Sequence, residues 1–164
     1  MASTPEIGRA APDFTLPGLV LSGVGVDASA ERGDFTLSAH RGRPIVPAFY
    51  PGDDTPVCTK QMRAYSSELD KFKDVGAEVW GLSPQDIDSH EKFARRHGLH
   101  FPVLADTGKT VIKDYGIAMP GLGLKRSIFL VDAEGFVRWK HVVRIGISFQ
   151  PVETLTVRIA ALGS

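Results

Sequence analysis

Short apolar runs and stretches with helical spacing alternate along this chain. Runs of strand length occupy residues 13–16, 35–38, 45–50, 78–82, 101–104, 127–131 and 136–142. Stretches of helical character follow Thr55 and occupy residues 87–97, 109–115 and 152–162. The last two strands are joined by the turn 132–135, which predicts a hairpin. Strands that alternate with helices and end in a hairpin predict a three-layer α/β domain with a mixed sheet.

Two parts of this pattern are irregular. Pro17 and Gly18 predict an end to the first strand, and residues 19–34, which are rich in small and polar side chains, predict a surface insertion or an irregular hairpin. Pro47 lies inside the apolar run 45–50 and cannot donate a hydrogen bond to a neighbouring strand. We expect a bulge or an unpaired edge at Pro47.

The helix after Thr55 has the clearest periodicity in the chain. Its apolar positions are spaced by steps of four and three residues, which predicts one buried stripe. The stripe consists of Cys58, Met62, Tyr65, Leu69 and Phe72. Since Cys58 opens the stripe at the start of the helix, we expect its sulfur to be half sheltered and still reachable from solvent.

Length and charge narrow the range of functions. The chain has 164 residues and a mass of 17.7 kDa, which predicts a single domain over residues 1–164. Its 19 basic and 19 acidic residues balance, so no basic field is available to bind a nucleic acid or an anionic membrane. No apolar run has the length of a membrane span, and the first residues lack the features of a leader. We therefore expect a cytoplasmic protein.

Cys58 is the one cysteine in the sequence, and its setting is typical of a reactive thiol. Thr55 is a favoured N-cap residue, and Pro56 suits the first helical position. Cys58 then falls in the first turn, where free N–H groups and the helix dipole favour an anion and predict a lowered thiol pKa. The alternative is that Cys58 is a small buried hydrophobe, as lone cysteines often are.

The stretch 51–58, Pro-Gly-Asp-Asp-Thr-Pro-Val-Cys, resembles the Pro-x-x-x-Thr-x-x-Cys motif of the peroxiredoxins. The stretch 126–132, which begins with Arg126, is similar to a second signature of that family. The likeness extends over about residues 7–162, with 19–34 as an insertion, and is strongest to the bacterioferritin comigratory protein or peroxiredoxin Q branch. The resemblance implies a thioredoxin-like α/β/α sandwich and a thiol-dependent peroxidase.

The resemblance also implies roles for four residues. Cys58 would supply the thiolate that attacks the peroxide, and Thr55 would donate a hydrogen bond to it. Arg126 would favour the thiolate and the departing oxygen, and Pro51 would shield the pocket from water. Each role has an alternative from the residues alone: Thr55 as an N-cap, Arg126 as a strand-end cation and Pro51 as a turn former.

The remaining titratable residues predict little further chemistry. Asp53 and Asp54 would raise the thiol pKa if they faced Cys58, so we expect them to point into solvent. The spacing of His90, His97 and His100 matches no metal-ligand pattern. We therefore expect neither a metal nor another cofactor.

A single cysteine determines how the catalytic cycle would be completed. Arg63 occupies the position where peroxiredoxin Q proteins often carry a resolving cysteine. A sulfenic acid on Cys58 would therefore be reduced by an external thiol, such as thioredoxin, glutathione with glutaredoxin, or mycothiol. The sequence selects neither the reductant nor the preferred peroxide, and a monomer and a homodimer both remain open. The apolar loop 118–124 would form a subunit contact or line the pocket for an organic hydroperoxide.

Two other functions remain open. A cysteine hydrolase or transferase would need a histidine base, His40 or His141, beside Cys58. A non-catalytic thioredoxin-fold module, for interaction or holdase activity, would contain an inert Cys58. The absence of Cys-x-x-Cys argues against a thioredoxin-type disulfide reductase.

Overall fold

The computed structural model describes residues 3–23, 27–119, 123–143 and 149–163. Its strands are β1 (Thr15–Ser22), β2 (Ser29–Thr36), β3 (Ile45–Phe49), β4 (Glu78–Ser83), β5 (Val103–Ala105), β6 (Ala118–Met119), β7 (Gly123–Leu124), β8 (Ser127–Val131) and β9 (Val137–Val142). Its helices are α1 (Pro56–Ser67), α2 (Leu69–Asp74), α3 (Ile87–His97), α4 (Thr110–Asp114) and α5 (Val152–Ala160). Leu37–His40 and Ala161–Gly163 form 3₁₀ turns.

Seven strands form one mixed sheet in the order β2-β1-β5-β4-β3-β8-β9, and β6 pairs with β7 separately. β3 and β5 both run parallel to β4, whereas β8 is antiparallel to β3 and to β9. The predicted late hairpin is therefore confirmed as β8 and β9. No helix among the described residues is long and apolar enough to cross a bilayer.

The central strands are buried on both faces, as their continuous apolar runs predict. Successive side chains of a strand point to opposite faces, so β3 contributes Val46 and Ala48 to one apolar cluster and Ile45 and Phe49 to another. Helices α1, α2, α3 and α5 pack into the first cluster, and α4 packs into the second. Helices on both faces of a mixed sheet confirm the predicted three-layer α/β fold.

The predicted end of the first strand at Pro17 and Gly18 is wrong. β1 continues to Ser22 and pairs with β2 along its whole length in a regular antiparallel register, and it also pairs with β5. A Cβ on Gly18 would lie 2.8 Å from the Phe35 ring, so glycine lets this ring pack across the strand. Of the two structures predicted for residues 19–34, a surface insertion or an irregular hairpin, the hairpin is the one observed, and it is a regular part of the main sheet. Residues 24–26 lie outside the described part of the chain.

Pro47 lies in an interior strand, between β4 and β8, and not at an edge. Toward β4 it is in register with Trp80. Toward β8, Ile45 and Ala48 have partners, whereas Pro47 is paired with none of the described residues of that strand. A gap in one ladder, with the same register on both sides, accommodates the missing N–H group.

The predicted long helix after Thr55 is divided. α1 ends at Ser67 and α2 begins at Leu69, with Glu68 between them at φ −113° and ψ 26°. The apolar stripe is nevertheless retained, because Phe72 of α2 still packs into the cluster that contains Cys58. The loop predicted over 118–124 contains β6 and β7, and its residues 120–122 lie outside the described residues.

Candidate active site

The first turn of α1 places Cys58 as the sequence predicts. Thr55 has extended backbone angles at the N-cap, Pro56 is the first helical residue, and the Thr59 N–H donates to the Thr55 carbonyl at 2.8 Å. Thr55 and Pro56 thus start the helix, and Cys58 is a buried residue of its first turn.

The Thr55 side chain does not cap the helix. Its hydroxyl donates to the Gly52 carbonyl at 2.9 Å, which closes the loop 51–55 on itself. Thr55 is exposed and Pro51 is half-buried, so both lie between the interior and solvent. Their predicted roles toward a peroxide stay predictions.

Arg126 lies directly against Cys58. Its Nη2 donates to Cys58 Sγ at 3.1 Å, and the residue is 4% exposed. The Arg126 carbonyl accepts from the Val143 N–H at 2.9 Å, which fixes the backbone immediately before β8. A permanent cation is therefore held against the sulfur, and its predicted role toward the thiolate and the departing oxygen stays a prediction.

Gln61 completes this contact and was missed from the sequence. It is fully buried one turn after Cys58, and its Oε1 accepts from Arg126 Nη1. Its Nε2 donates to the Tyr65 hydroxyl at 3.3 Å, and that hydroxyl donates to the Gln150 carbonyl at 2.7 Å. Three-residue spacing from Cys58 would have placed Gln61 on the buried stripe, which was the available signal.

The predicted exposure of Cys58 is wrong, because the residue is 0% exposed. Tyr50, Met62 and Tyr65 belong to the same buried cluster, and Arg126 covers the sulfur on a further side. The large aromatic side chains fill the space that a half-open pocket would need. A thiol, or a reagent of similar bulk, therefore reaches Sγ only when this region opens.

Asp53 also differs from its predicted position. Instead of pointing into solvent it is 8% exposed, and its carboxylate accepts hydrogen bonds from the Tyr50 hydroxyl at 2.6 Å and the Ser89 hydroxyl at 2.8 Å. His90 Nδ1 lies 2.7 Å from the same carboxylate. Asp54 is exposed, as predicted, and lies 3.0 Å from Arg96.

Two buried tyrosines beside the sulfur have raised pKa values. Burial raises the pKa of Tyr50 well above its usual range, and the neighbouring Asp53 carboxylate raises it further. Burial also raises the pKa of Tyr65, against the opposing effects of the Gln61 hydrogen bond and the Arg126 charge. Both hydroxyls therefore remain protonated donors at neutral pH.

Histidine chemistry at the sulfur has no support in the described residues. The ring centroids of His40 and Trp80 are 4.8 Å apart, and Trp80 belongs to the cluster on the other face of the sheet. The His141 ring stacks on Trp139. Among the described residues, none of the hydrogen bonds joins a histidine nitrogen to Cys58 Sγ. The same residues contain no group of three potential metal ligands.

Comparison with known proteins gives one protein family and relatives that bear the same name. A model of the AhpC/TSA family matches residues 7–140. A chloroplastic peroxiredoxin Q from Oryza sativa subsp. japonica is 37% identical over 138 residues, which cover 80% of this chain and 57% of the rice protein. The chloroplastic peroxiredoxin Q of Arabidopsis thaliana is 39% identical over 140 residues, covering 76% of this chain and 62% of that protein. The chain thus spans roughly three fifths of the length of these relatives.

Solved structures share the fold. AhpC from Mycobacterium bovis superimposes with a TM-score of 0.86 at 24% identity, covering 98% of this chain and 94% of that one. The reduced 2-Cys peroxiredoxin of Plasmodium vivax gives a TM-score of 0.80 at 26% identity and covers 96% of each chain. The fold is therefore the thioredoxin-like fold that the resemblance implied.

Proposed function

Because this chain belongs to the AhpC/TSA family, we propose that it is a one-cysteine, thiol-dependent peroxidase with Cys58 as its nucleophile. The observation that carries the proposal is the 3.1 Å hydrogen bond from Arg126 Nη2 to Cys58 Sγ at the start of α1. A guanidinium in this position favours the thiolate over the thiol. Arg126 is also buried, so solvent screens its charge poorly.

The first step of the proposed reaction transfers one oxygen atom. The thiolate attacks the nearer peroxide oxygen, the O–O bond breaks, and the departing alkoxide or hydroxide takes a proton to give an alcohol or water. Cys58 becomes a sulfenic acid, so the sulfur is oxidised by two electrons and the peroxide is reduced by two. Arg126 stabilises the negative charge that develops on the departing oxygen.

The second step needs a thiol from outside the chain, because Cys58 is its only cysteine. An external thiol attacks the sulfenic sulfur and forms a mixed disulfide with release of water, and a second thiol then regenerates Cys58. Thioredoxin, glutaredoxin with glutathione, and mycothiol all fit this chemistry. The protein acts as a monomer or homodimer in this scheme.

A second candidate is favoured by the complete burial of Cys58. A sealed sulfur is typical of an inert structural thiol, and the protein would then be a non-catalytic thioredoxin-fold module. The two functions differ in whether peroxide oxidises Cys58 in the native state. The hydrolase alternative requires a histidine base at the sulfur, and in the described part of the chain no histidine nitrogen forms a hydrogen bond with Cys58 Sγ.

The test compares the protein with its Cys58→Ser variant. We expect the protein to consume hydrogen peroxide in the presence of a small dithiol and to form a sulfenic acid, which mass spectrometry detects after trapping with dimedone. The variant should keep the same circular dichroism spectrum and unfolding midpoint and lose peroxide consumption. Equal consumption by both proteins, or no oxidation of native Cys58 by any peroxide, would contradict the proposal.

Three further features belong to this proposal. Residues 1–164 act as a single domain, with the β1–β2 hairpin as part of it, and Thr55, Arg126 and Pro51 assist Cys58 in the catalytic site. The protein functions in the cytoplasm, although the rice and Arabidopsis relatives are named chloroplastic. Fractionation of cells that express the full-length protein tests the location.

A further inference from the structure

A cluster of buried and half-buried polar side chains includes Tyr50, which belongs to the same apolar cluster as Cys58, and is separate from Arg126 and Gln61. It joins the loop 51–55 to helix α3 through Tyr50, Asp53, Ser89 and His90. Asp53 is its centre, because Oδ1 accepts from Tyr50 and Oδ2 accepts from Ser89 and contacts His90. The backbone N–H of Asp53 also donates to Gln85 Oε1 just before α3. Among the described residues, the buried and half-buried hydrogen bonds between the loop and the α3 region thus all pass through Asp53.

The hydrogen bonds determine how many protons the cluster contains. His90 Nε2 lies 3.0 Å from the Leu104 carbonyl, which can only accept, so Nε2 carries a proton. Nδ1 faces Asp53 Oδ2 at 2.7 Å, so a further proton lies between these two atoms. His90 and Asp53 therefore share this proton in a pair whose side chains are 0% and 2% exposed. Removal of either partner of such a buried pair would leave the other without compensation and would destabilise this contact.

The neighbouring Asp54 makes a weaker connection to the same helix. Its carboxylate lies 3.0 Å from Arg96 and 3.2 Å from His97, but the Arg96 side chain is 63% exposed. Exposed ion pairs contribute little to stability because water and salt screen them. Asp53 is therefore the contact that determines whether loop 51–55 remains on α3.

We propose that Asp53 is a positioning residue that latches loop 51–55 to α3, and that this latch controls how often the first turn of α1 opens and exposes Cys58. The loop leads directly into Thr55 and Pro56, so its release removes the support for the turn that buries the sulfur. Since Cys58 is fully buried with the latch closed, access of bulky reagents requires opening. The peroxidase part of this inference rests on the proposed function, but the effect on exposure does not.

The central test uses two substitutions at Asp53. Asp53→Ala removes every side-chain bond of the latch. Asp53→Asn can retain them with a neutral His90, because the amide accepts from Tyr50 and donates to Ser89 and to His90 Nδ1. We measure the rate at which iodoacetamide alkylates native Cys58 and the free energy of unfolding in urea. The same proteins are then mixed with hydrogen peroxide by stopped flow.

We expect Asp53→Ala to increase the alkylation rate by about 10- to 100-fold, the factor that loss of a charged buried hydrogen bond corresponds to. Asp53→Asn should remain within about twofold of the unchanged protein. Peroxide oxidation should be slower in Asp53→Ala, because the donors around the sulfur are less well positioned. Equal alkylation rates in the Ala variant and the unchanged protein, or equal increases in both variants, would overturn the latch.

A milder pair of variants applies if Asp53→Ala does not fold. Tyr50→Phe removes one hydrogen bond from the latch, whereas Tyr115→Phe removes a similar bond, to the Pro12 carbonyl, in the cluster on the other face of the sheet. Both cost stability, but only Tyr50→Phe should accelerate alkylation of Cys58. Equal acceleration by both would mean that global unfolding controls exposure, and the latch would be wrong. Failure of peroxide to oxidise Cys58 despite the expected alkylation pattern would reject the peroxidase function and leave the latch intact.

Discussion

The two faces of the central sheet are built from different kinds of contact. The Cys58 face contains buried polar groups, including Arg126, Gln61 and His90, among its apolar side chains. The opposite face is an aromatic and aliphatic core in which Phe14, Trp80 and Tyr115 meet edge to face. Alternation along β3, β4 and β8 keeps these two environments on opposite sides of a single layer of backbone.

This difference separates stability from chemistry. Apolar packing stabilises the fold in proportion to the area it buries, whereas a buried polar group adds little net stability even when it is well bonded. The polar groups beside Cys58 are therefore expected to set the position and charge of the sulfur. Substitutions on the aromatic face should change the free energy of unfolding, and substitutions on the Cys58 face should also change the oxidation rate.

A matched pair of phenylalanines tests this separation with the largest expected effect. Phe14→Ala and Phe93→Ala each remove a buried ring, and each should lower the free energy of unfolding by about 3–5 kcal/mol. Phe93 lies on α3, and its ring centroid is 6.0 Å from that of Tyr50. Only Phe93→Ala should therefore change the oxidation rate of the folded fraction. Urea unfolding and stopped-flow oxidation give the two quantities.

Val157→Ala is the control for both phenylalanines, because Val157 is 61% exposed and its truncation should change neither quantity. An oxidation rate that falls equally in Phe14→Ala and Phe93→Ala would show that the two faces are not independent.

Arg126→Met tests the electrostatic part of the site. Methionine retains much of the apolar volume but removes the donor to Cys58 Sγ, so we expect the rate constant for oxidation to fall by about 10²- to 10³-fold. Arg138→Met is the control, since Arg138 is a half-exposed cation on the neighbouring strand that pairs with Asp132. The role assigned to Arg126 would be wrong if both variants were oxidised at the same rate.

Local sequence signals predicted the elements around the site well. Pro56 at the first helical position, with Thr55 extended before it, fixes the start of α1 through local backbone geometry, although the Thr55 hydroxyl bonds to Gly52 and does not cap the helix. The bounds predicted for α3 match because Asp86 accepts from the Ser89 N–H at its start and Gly98 adopts a left-handed conformation at its end. Such signals need no knowledge of the rest of the chain.

Tertiary contacts account for the errors. The prediction that Asp53 faces solvent follows from its charge, and only the fold brings Tyr50 and His90 close enough to bury it. Gln61 is not predicted because its function on the apolar stripe depends on its hydrogen bond with Arg126, and Arg126 is far away in the sequence. Gly18 predicts a turn in isolation, but its lack of a side chain serves the packing of Phe35.

Gln61→Leu tests whether Arg126 needs its second partner. Leucine has a similar volume but leaves Arg126 Nη1 without an acceptor, so we expect a loss of about 1–3 kcal/mol in the free energy of unfolding and a slower oxidation of Cys58. Tyr65→Phe is the comparison, because it removes the next hydroxyl in the network and leaves the Gln61 contact with Arg126 in place. We expect the larger decrease in the oxidation rate in Gln61→Leu. A larger decrease in Tyr65→Phe would contradict this expectation.

The smallest expected effect lies far from the sulfur, at the turn between β8 and β9. Burial alone would raise the pKa of Asp132, but hydrogen bonds from the Phe136 N–H, the Arg138 guanidinium and the Glu134 N–H outweigh it and lower the pKa. The carboxylate therefore binds protons less readily in the folded state than in the unfolded state. Its stabilising contribution is complete above the unfolded pKa of about 4 and is lost as the pH falls through the lower folded value.

Asp132→Asn should accordingly lower the free energy of unfolding by about 1–2 kcal/mol at neutral pH, because it removes charge-assisted hydrogen bonds. The difference from the unchanged protein should shrink as the pH falls below about 4, where the unfolded carboxyl is already protonated. Urea unfolding at a series of pH values measures this difference. Oxidation of Cys58 at neutral pH should be unaffected. Asp132 directly follows β8, whereas Arg126 directly precedes it, so the two residues lie at opposite ends of this strand. A difference that grows toward acid pH would mean that the hydrogen bonds at this turn do not lower the pKa of Asp132.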